Sequence, residues 1–216
     1  VNKGTLNVQA LKTTIDGTSF DNQGKLSFGP LSGSATGNLT IKSGSISNAE
    51  SAELTVVDAT VTGGQVTNAG ALTATTLTVQ GGKVENAGKG VLTADTITIE
   101  ENGVLNTTYT TDTFKWKEIT VADNGVLNLD ALNSRHDGQK IGKDKDGNVL
   151  AGDRLLINAG TINLAGGELQ VAGTKYEGDL KIGRSDTNAK VTVTSDYSFN
   201  KVEFGSSNKI TGDNTA

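Results

Sequence analysis

The stretch Leu77-Thr-Val-Gln-Gly-Gly-Lys-Val-Glu-Asn86 carries the template that decides the fold. An apolar–Thr–apolar triplet is followed by a turn containing Gly, one further residue, an apolar residue and Asn. The same template recurs in Leu39–Asn48, Thr60–Asn68, Ile97–Asn106, Ile119–Asn128 and Leu155–Asn163. The turn glycines are Gly44, Gly64, Gly82, Gly103, Gly125 and Gly160, spaced by 20, 18, 21, 22 and 35 residues. A period of about 20 residues is typical of a solenoid of stacked units.

The triplets alternate apolar and polar residues, which is the period of a half-buried strand. So short a strand cannot bury its apolar face alone, whereas stacked units share one continuous core and pair their backbones. The sequence therefore predicts an all-β fold, a parallel β-helix with coils of about 20 residues. The residues expected to point inward are Leu39, Ile41, Ile46, Leu77, Val79, Val84, Ile97, Ile99, Leu105, Ile119, Val121 and Leu127.

Two Asn-Gly pairs leave an alternative open. Asn102-Gly103 and Asn124-Gly125 are strong signals for two-residue hairpins, which would give an antiparallel stack. The equivalent positions in the other units are Ser43-Gly44, Gly63-Gly64, Gly81-Gly82 and Ala159-Gly160. These are generic tight corners in which Gly supplies a positive φ, and they favour the parallel helix.

The recurring Asn has a predicted role at a corner between strands. Stacked Asn side chains can hydrogen-bond from coil to coil as a ladder, and Asn tolerates left-handed backbone angles. One register contains Asn48, Asn68 and Asn86, whereas Asn106, Asn128 and Asn163 stand one residue earlier relative to Gly. We therefore expect the ladder to break near residue 103.

The repeat also resembles a known class of proteins. Val66-Thr-Asn-Ala-Gly-Ala-Leu72 and Leu77-Thr-Val-Gln-Gly-Gly82 are similar to coils of autotransporter passenger domains and of filamentous-haemagglutinin-type exoproteins. The similarity covers roughly residues 36–170 and is one of architecture. It implies a right-handed parallel β-helix, secretion by a Gram-negative bacterium, and roles in adhesion or aggregation. The motif carries no functional residue of the family, so none is transferred.

The chain organisation suggests one domain, residues 1–216, in a fragment of a longer protein, because the chain contains no Met and starts at Val1. Looser strands are expected before residue 36, where the pairs Leu6/Val8 and Leu26/Phe28 should face inward. Residues 130–153 interrupt the repeat and should project as a loop or hairpin. Alternation resumes over residues 180–204.

Composition excludes several classes of function. Without Cys there is no disulfide, thiolate metal site or Cys nucleophile. The formal net charge is −5, and Lys and Arg are scattered, which argues against nucleic acid as a partner. No apolar run approaches the roughly 20 residues of a membrane-spanning helix, so no membrane insertion is expected of this segment. We expect no cofactor.

Two polar motifs within the interruption have plain explanations. Asp144, Asp146 and Asp153 resemble half of a calcium loop, but the position of the first ligand is Gly142. An Asp-Gly turn explains the same residues, and whether they bind calcium stays open. The single His of the chain, His136, has no second His or Cys with which to form a zinc site.

The remaining alternatives concern the exposed faces. Carbohydrate-active β-helices cluster carboxylates on adjacent coils, whereas the acidic residues here are dispersed and Glu100-Glu101 is expected at a solvated corner. Thr-x-Thr pairs at Thr60/Thr62, Thr76/Thr78 and Thr96/Thr98 resemble the flat arrays of ice-binding solenoids. Asn38, Glu53 and Glu118 stand in place of the first Thr on flanking coils and interrupt the array.

The sequence as a whole predicts a protein that is not an enzyme and has no catalytic, cofactor or metal site. We expect a structural or adhesive segment of a secreted bacterial cell-surface protein, anchored to the outer membrane through regions outside this chain. Its partners would be host or bacterial surface glycans or proteins, or a second copy of itself, with a role in virulence where the partner is a host. The alternatives are a carbohydrate-active lyase or hydrolase and, third, an ice-binding solenoid.

Overall fold

The computed structural model describes residues 1–29, 37–108, 113–122 and 124–130, together with the strands that follow residue 134. These parts are all β. The first coils contain β1 (Thr5–Val8), β2 (Lys12–Ile15), β3 (Thr18–Asn22), β4 (Lys25–Phe28), β5 (Asn38–Ile41), β6 (Gly44–Asn48), β7 (Glu53–Val61), β8 (Gln65–Asn68), β9 (Ala71–Gln80), β10 (Lys83–Asn86), β11 (Val91–Glu100), β12 (Val104–Thr108), β13 (Phe114–Val121) and β14 (Val126–Asp130). The later strands are β15 (Arg135–His136), β16 (Gln139–Lys140), β17 (Arg154–Ile157), β18 (Gly160–Leu164), β19 (Glu168–Val171), β20 (Thr174–Lys175), β21 (Asp179–Ile182), β22 (Ala189–Val193) and β23 (Lys201–Phe204).

The strands stack in parallel as a β-solenoid, which confirms the predicted fold class. One sheet runs β1-β4-β7-β9-β11-β13-β18-β22, with β2 and β5 joined to it through β7. The second sheet runs β20-β19-β14-β12-β10-β8-β6-β3. Its neighbours from β3 to β19 all pair in parallel, each strand lying on the equivalent strand of the previous coil. The right-handed sense of the coil stays a prediction.

Each complete coil has three sides, because the long strands bend. In β9, Ala74 and Leu77 are both buried, while Thr75 and Thr76 between them are not, so the alternation shifts by one residue. The pairing of β9 with β7 also lapses at Thr75. We call the part before the bend, in line with β1 and β4, the first side, and the part after it, in line with β2 and β5, the second side. The strands of the second sheet form the third side.

The core runs along the inside of the three sides. All twelve positions that the repeat predicted to be inward are buried, each at most 2 % exposed. Leu26 and Phe28 are buried as expected and Val8 is partly buried, whereas Leu6 in the first coil is 39 % exposed. Among the described strands, β1 has a neighbour on one side only, which is β4. Leu6 therefore contacts Leu26 on that side and is covered less completely than its counterparts in later coils.

The hairpin alternative is wrong. Asn102-Gly103 leads into β12, and β12 pairs in parallel with both β10 and β14. The alignment of the sixth unit is also wrong. β18 pairs with β13 on the second side, which places Ile162 opposite Ile119, and the third-side strand of that coil is β19. Gly160 is the first residue of a second-side strand, so it is not equivalent to the glycines at the corner between the second and third sides.

Glycine is required at most of the repeat turns for a different reason from the expected positive φ. Gly44 has a φ of 81°, as predicted, but in the fourth to sixth coils the left-handed residue precedes the repeat glycine: Gly81 (74°), Asn102 (68°) and Asn124 (59°). Gly82, Gly103 and their equivalents are required because a Cβ would collide with the preceding coil. A Cβ on Gly82 would lie 2.5 Å from Cγ1 of Val61, and one on Gly103 would overlap the carbonyl group of Val79.

The predicted Asn ladder is present and entirely buried. Nδ2 of Asn22 donates to Oδ1 of Asn48, Asn48 to Asn68, and Asn68 to Asn86, each at 2.7 Å. Asn2 extends the ladder below Asn22, and above Asn86 the chain of bonds passes to Oγ1 of Thr107. The ladder of amides thus breaks near residue 103, as expected. Asn128 donates to Asn106 in a separate, outer pair. The predicted register of Asn106, Asn128 and Asn163 is wrong only for Asn163, which lies on the second side.

Within the interruption of the repeat, β15 and β16 form a short antiparallel pair. The two sheets continue from β13 to β18 and from β14 to β19 on either side of it. The division into one domain with a projecting insertion stays a prediction. The strands expected after residue 180 are observed as β21, β22 and β23, and they pair in parallel with β17, β18 and β21 respectively.

Candidate interaction surface

A row of threonines follows the outer face of the second side. Consecutive coils pair Thr14 with Thr40, Thr40 with Thr60, Thr60 with Thr78, Thr78 with Thr98, and Thr98 with Thr120. We call these six residues the threonine row. Adjacent strands of a sheet lie about 4.8 Å apart, so the row presents hydroxyl groups at that repeat. It runs along the axis of the solenoid across six coils.

The hydroxyl groups of the row are available to a partner. A Thr hydroxyl can donate one hydrogen bond and accept others. Among the residues whose side chains the structure describes, none forms a hydrogen bond with a side chain of the row, although Thr62, which lies just beyond it, donates to the carbonyl oxygen of Ile41. Thr14 is exposed and the other five are half-buried by their neighbours, which restricts their side-chain rotation. The row is therefore a regular and stiff array of unpaired hydroxyls.

The outward positions beside the row vary in charge. Two residues before each Thr of the row stand Lys12, Asn38, Asp58, Thr76, Thr96 and Glu118. On this preceding side, a second Thr lies beside the row in two adjacent coils only, at Thr76 and Thr96, whereas Thr62 lies on the following side of the row in the third coil. These two threonines, with Thr78 and Thr98, form a neutral patch between coils that carry carboxylates.

The structure corrects the array deduced from Thr-x-Thr pairs. Thr60 pairs with Thr78, so it belongs with the second Thr of the later pairs. The residue equivalent to Thr76 in that coil is Asp58, whereas Glu53 pairs with Lys25 and Ala71 on the first side. The row itself was missed because the second unit, in the third coil, was aligned from Thr60. Aligning that unit from Ala59 would have restored the apolar–Thr–apolar triplet and revealed it.

Charged residues are dispersed over the described coils. No group of three or more His, Asp or Glu side chains that could hold a metal ion occurs among the residues with described placement. Glu101 occupies a corner, as expected, with a φ of 50° and its side chain exposed. The suggested calcium residues Asp144, Asp146 and Asp153, and the side chain of His136, lie outside the described residues.

Comparison with protein-family models, curated proteins and solved structures gives no match to the chain. Within the part of the chain that the structure describes, no helix has the length and apolar character needed to cross a membrane. The geometry of the solenoid is therefore the basis for a functional proposal.

Proposed function

We propose that this chain is a structural and adhesive segment of a secreted bacterial cell-surface protein, and that it contacts glycans or proteins of other cells through the second side of the solenoid. The observation that carries the proposal is the threonine row, with six unpaired hydroxyl groups at strand spacing. The cell-surface location rests on the resemblance of the repeat to autotransporter passenger domains and filamentous-haemagglutinin-type exoproteins.

The row suits weak contact repeated many times. A single hydroxyl that exchanges water for a partner contributes little net free energy, on the order of 1 kcal/mol. A rigid row engages several partner groups without ordering a flexible segment first, and linked weak contacts gain from a high effective concentration. A protein rod that holds such a row would bind a surface bearing repeated polar groups more strongly than an isolated sugar or peptide.

The experiment compares beads coated with the purified chain. The test variant replaces Thr60, Thr78 and Thr98 by Val, which removes three hydroxyls of the row and retains the branched shape and the preference for strands. The matched control replaces Thr55, Thr73 and Thr93, a paired row of three on the first side, in the same way. Binding is measured to bacterial cells, to cultured animal cells and to beads bearing the same chain.

We expect the wild-type chain and the first-side control to bind at least one of these surfaces, and the second-side variant to bind it several times more weakly. Binding to all surfaces at the level of uncoated beads would contradict the adhesive role and leave a passive stalk. Equal binding by the two triple variants would show that the threonine row is not the contact. Circular dichroism of each variant confirms that the fold is retained.

The same row supports a second candidate, an ice-binding surface. Regularly spaced hydroxyl and methyl groups on a stiff, flat sheet could order water in a lattice, and the paired threonines at Thr76/Thr78 and Thr96/Thr98 form the start of a two-column array. Asp58 and Glu118 limit that array to two coils. Measurement of thermal hysteresis distinguishes the candidates, because an ice-binding solenoid lowers the freezing point without lowering the melting point. No hysteresis at high protein concentration would reject ice binding.

A further inference from the structure

A groove crosses the corner between the second and third sides and has a volume of about 470 Å³. We call it the corner groove. Its floor consists of glycines from three successive corners, and Gln65 and Lys83 form the wall that belongs to the third side. Asn102, from the next corner, closes one end. The volume falls within the range of about 300–1,000 Å³ that small-molecule sites occupy, but the groove is shallow and largely open to solvent, so it would cover one face of a ligand.

The groove exists because of how the coils stack. Cβ atoms on Gly64 and Gly82 would lie 2.5 Å from side-chain carbons of Ile41 and Val61 in the preceding coil, so no larger residue fits at these positions. Gly81, which precedes Gly82, has a φ of 74°. In the following two coils the equivalent left-handed position holds an Asn, at Asn102 and Asn124. The groove lies where two successive corners each have two adjacent glycines, Gly63-Gly64 and Gly81-Gly82.

The polar groups of the groove include both donors and acceptors. Gly63 and Gly81 are exposed, and neither donates its backbone N–H to an acceptor among the described residues. Gln65 uses its Nε2 in a hydrogen bond of 3.2 Å to Thr67, and its Oε1 accepts none from a described donor. Such a mixture matches a ligand that itself both donates and accepts, as hydroxyl groups do.

The charges argue against an anionic ligand. Among the described residues that line the groove, Lys83 alone is charged, and its Nζ lies 2.7 Å from Oε2 of Glu85. The neighbouring carboxylate offsets the field of the ammonium group, and Glu101 lies beside Asn102 at the end of the groove. A ligand with a phosphate, sulfate or carboxylate group would therefore meet no net positive potential. A neutral ligand rich in hydroxyls fits the groove better.

We propose that the corner groove binds a neutral saccharide, one or two sugar rings of a surface glycan. The proposal rests on the proposed contact function and deepens it, because it assigns a second, concave site and a ligand class to a surface next to the threonine row. Gln65 and the N–H groups of Gly63 and Gly81 hold the sugar hydroxyls, and Lys83 donates from the N–H bonds that Glu85 leaves free. Affinity at a single groove is weak, since none of the described residues that line it is aromatic.

The test titrates the isotope-labelled full chain with neutral oligosaccharides and follows the backbone amide signals of Gly63 and Gly81 by nuclear magnetic resonance. The probes are cellobiose, lactose and diacetylchitobiose at millimolar concentration, with glucuronate and sulfate as anionic comparisons. The filling variant is Gly81→Asn, because Asn102 and Asn124 adopt the same left-handed backbone at this position. Its Cβ would lie 2.9 Å from the backbone carbonyl oxygen of Thr62, so circular dichroism and thermal unfolding check that the coil is retained, and binding to this variant is followed at the amide of Gly63. Its matched control is Gly88→Asn, at an exposed left-handed glycine (φ 62°) with no atom within 4 Å of a Cβ. Lys83→Gln is a second variant that leaves the backbone untouched.

We expect at least one neutral oligosaccharide to shift the two glycine amides in the wild type and in Gly88→Asn, and to bind about tenfold more weakly to Gly81→Asn and to Lys83→Gln. Shifts with the anions alone, no shift with any neutral probe, or unchanged binding by both groove variants would overturn the proposal. Bead binding that depends on the threonine row, without these amide shifts, would overturn the groove assignment and leave the adhesive function standing. Amide shifts without bead binding would support the groove and contradict the adhesive role.

Discussion

Nδ2 of Asn48 donates a hydrogen bond of 2.7 Å to Oδ1 of Asn68, although the two residues are 20 positions apart and belong to different coils. The same amide nitrogen lies 3.0 Å from the carbonyl oxygen of Ala71. Both Asn side chains are at most 1 % exposed. A buried amide is costly unless its donors and acceptors are paired. Because each amide serves the next, the ladder links the stability of one coil to that of its neighbours.

Replacing Asn68 by Ala should lower the free energy of unfolding by about 2–4 kcal/mol. The change removes the acceptor of Asn48 and the donor to Asn86 and leaves a cavity between them. Urea denaturation followed by circular dichroism measures the effect. Ser47→Ala, at an exposed position on the outer face of the neighbouring strand β6, is the control and should stay within about 0.5 kcal/mol of the wild type. Equal effects of the two substitutions would show that the ladder is not a stabilising element.

Gly103→Ala should destabilise the solenoid by at least about 2 kcal/mol, although the backbone of Gly103 is not left-handed. The added Cβ would overlap the carbonyl group of Val79 and push the fifth coil away from the fourth. The control is Gly4→Ala, where a Cβ would meet nothing within 4 Å. Thermal unfolding of the two variants tests the explanation, and an unchanged unfolding temperature for Gly103→Ala would contradict it.

Ile99→Asp should cost at least about 3 kcal/mol, because it places a carboxylate without a partner at a position that is 0 % exposed. Ile99→Val at the same position removes only a methylene group and should cost about 1 kcal/mol. Denaturant titration of both variants separates the burial of charge from simple loss of packing. A loss no larger for Asp than for Val would mean that this side chain reaches solvent.

Removal of residues 131–153, the predicted insertion without Asp130, which ends β14, in favour of a short glycine turn should leave the far-ultraviolet circular dichroism nearly unchanged. The reason is that β18 and β19 pair directly with β13 and β14, so the main sheets do not need the intervening segment to continue. Cooperative unfolding of the shortened chain is the readout. Loss of the cooperative transition would assign the segment to the core.

The purified chain should release no reducing ends or unsaturated products from neutral or acidic polysaccharides, with or without calcium. Hydrolysis or elimination of a glycan needs paired carboxylates or a metal held near the scissile bond, and the carboxylates of the described coils are spread along the rod. The assay compares the chain with a heat-inactivated sample. Turnover above that background would establish the carbohydrate-active alternative in place of the proposed function.

Much of the fold could be predicted because burial follows a local period. Leu77, Val79 and Val84 belong to one short segment, and the alternation of that segment alone indicates which side chains enter the core. The ladder at Asn48 and Asn86 was likewise visible as a constant offset from the turn glycine. Errors arose where the offset changed. Gly160 matched the template but lies in a second-side strand, because alignment of one segment cannot reveal which earlier strand it will pair with.

The sequence by itself determined the period, the inward residues and the all-β class, since these depend on residues within one coil. Only the tertiary structure decided what lies side by side on neighbouring coils. The threonine row depends on Thr60 pairing with Thr78, and the corner groove depends on two glycine corners lying next to each other. Coil lengths vary between units, so residues with equal roles stand at unequal sequence separations. Their alignment is decided by backbone pairing and by the close approach of successive coils.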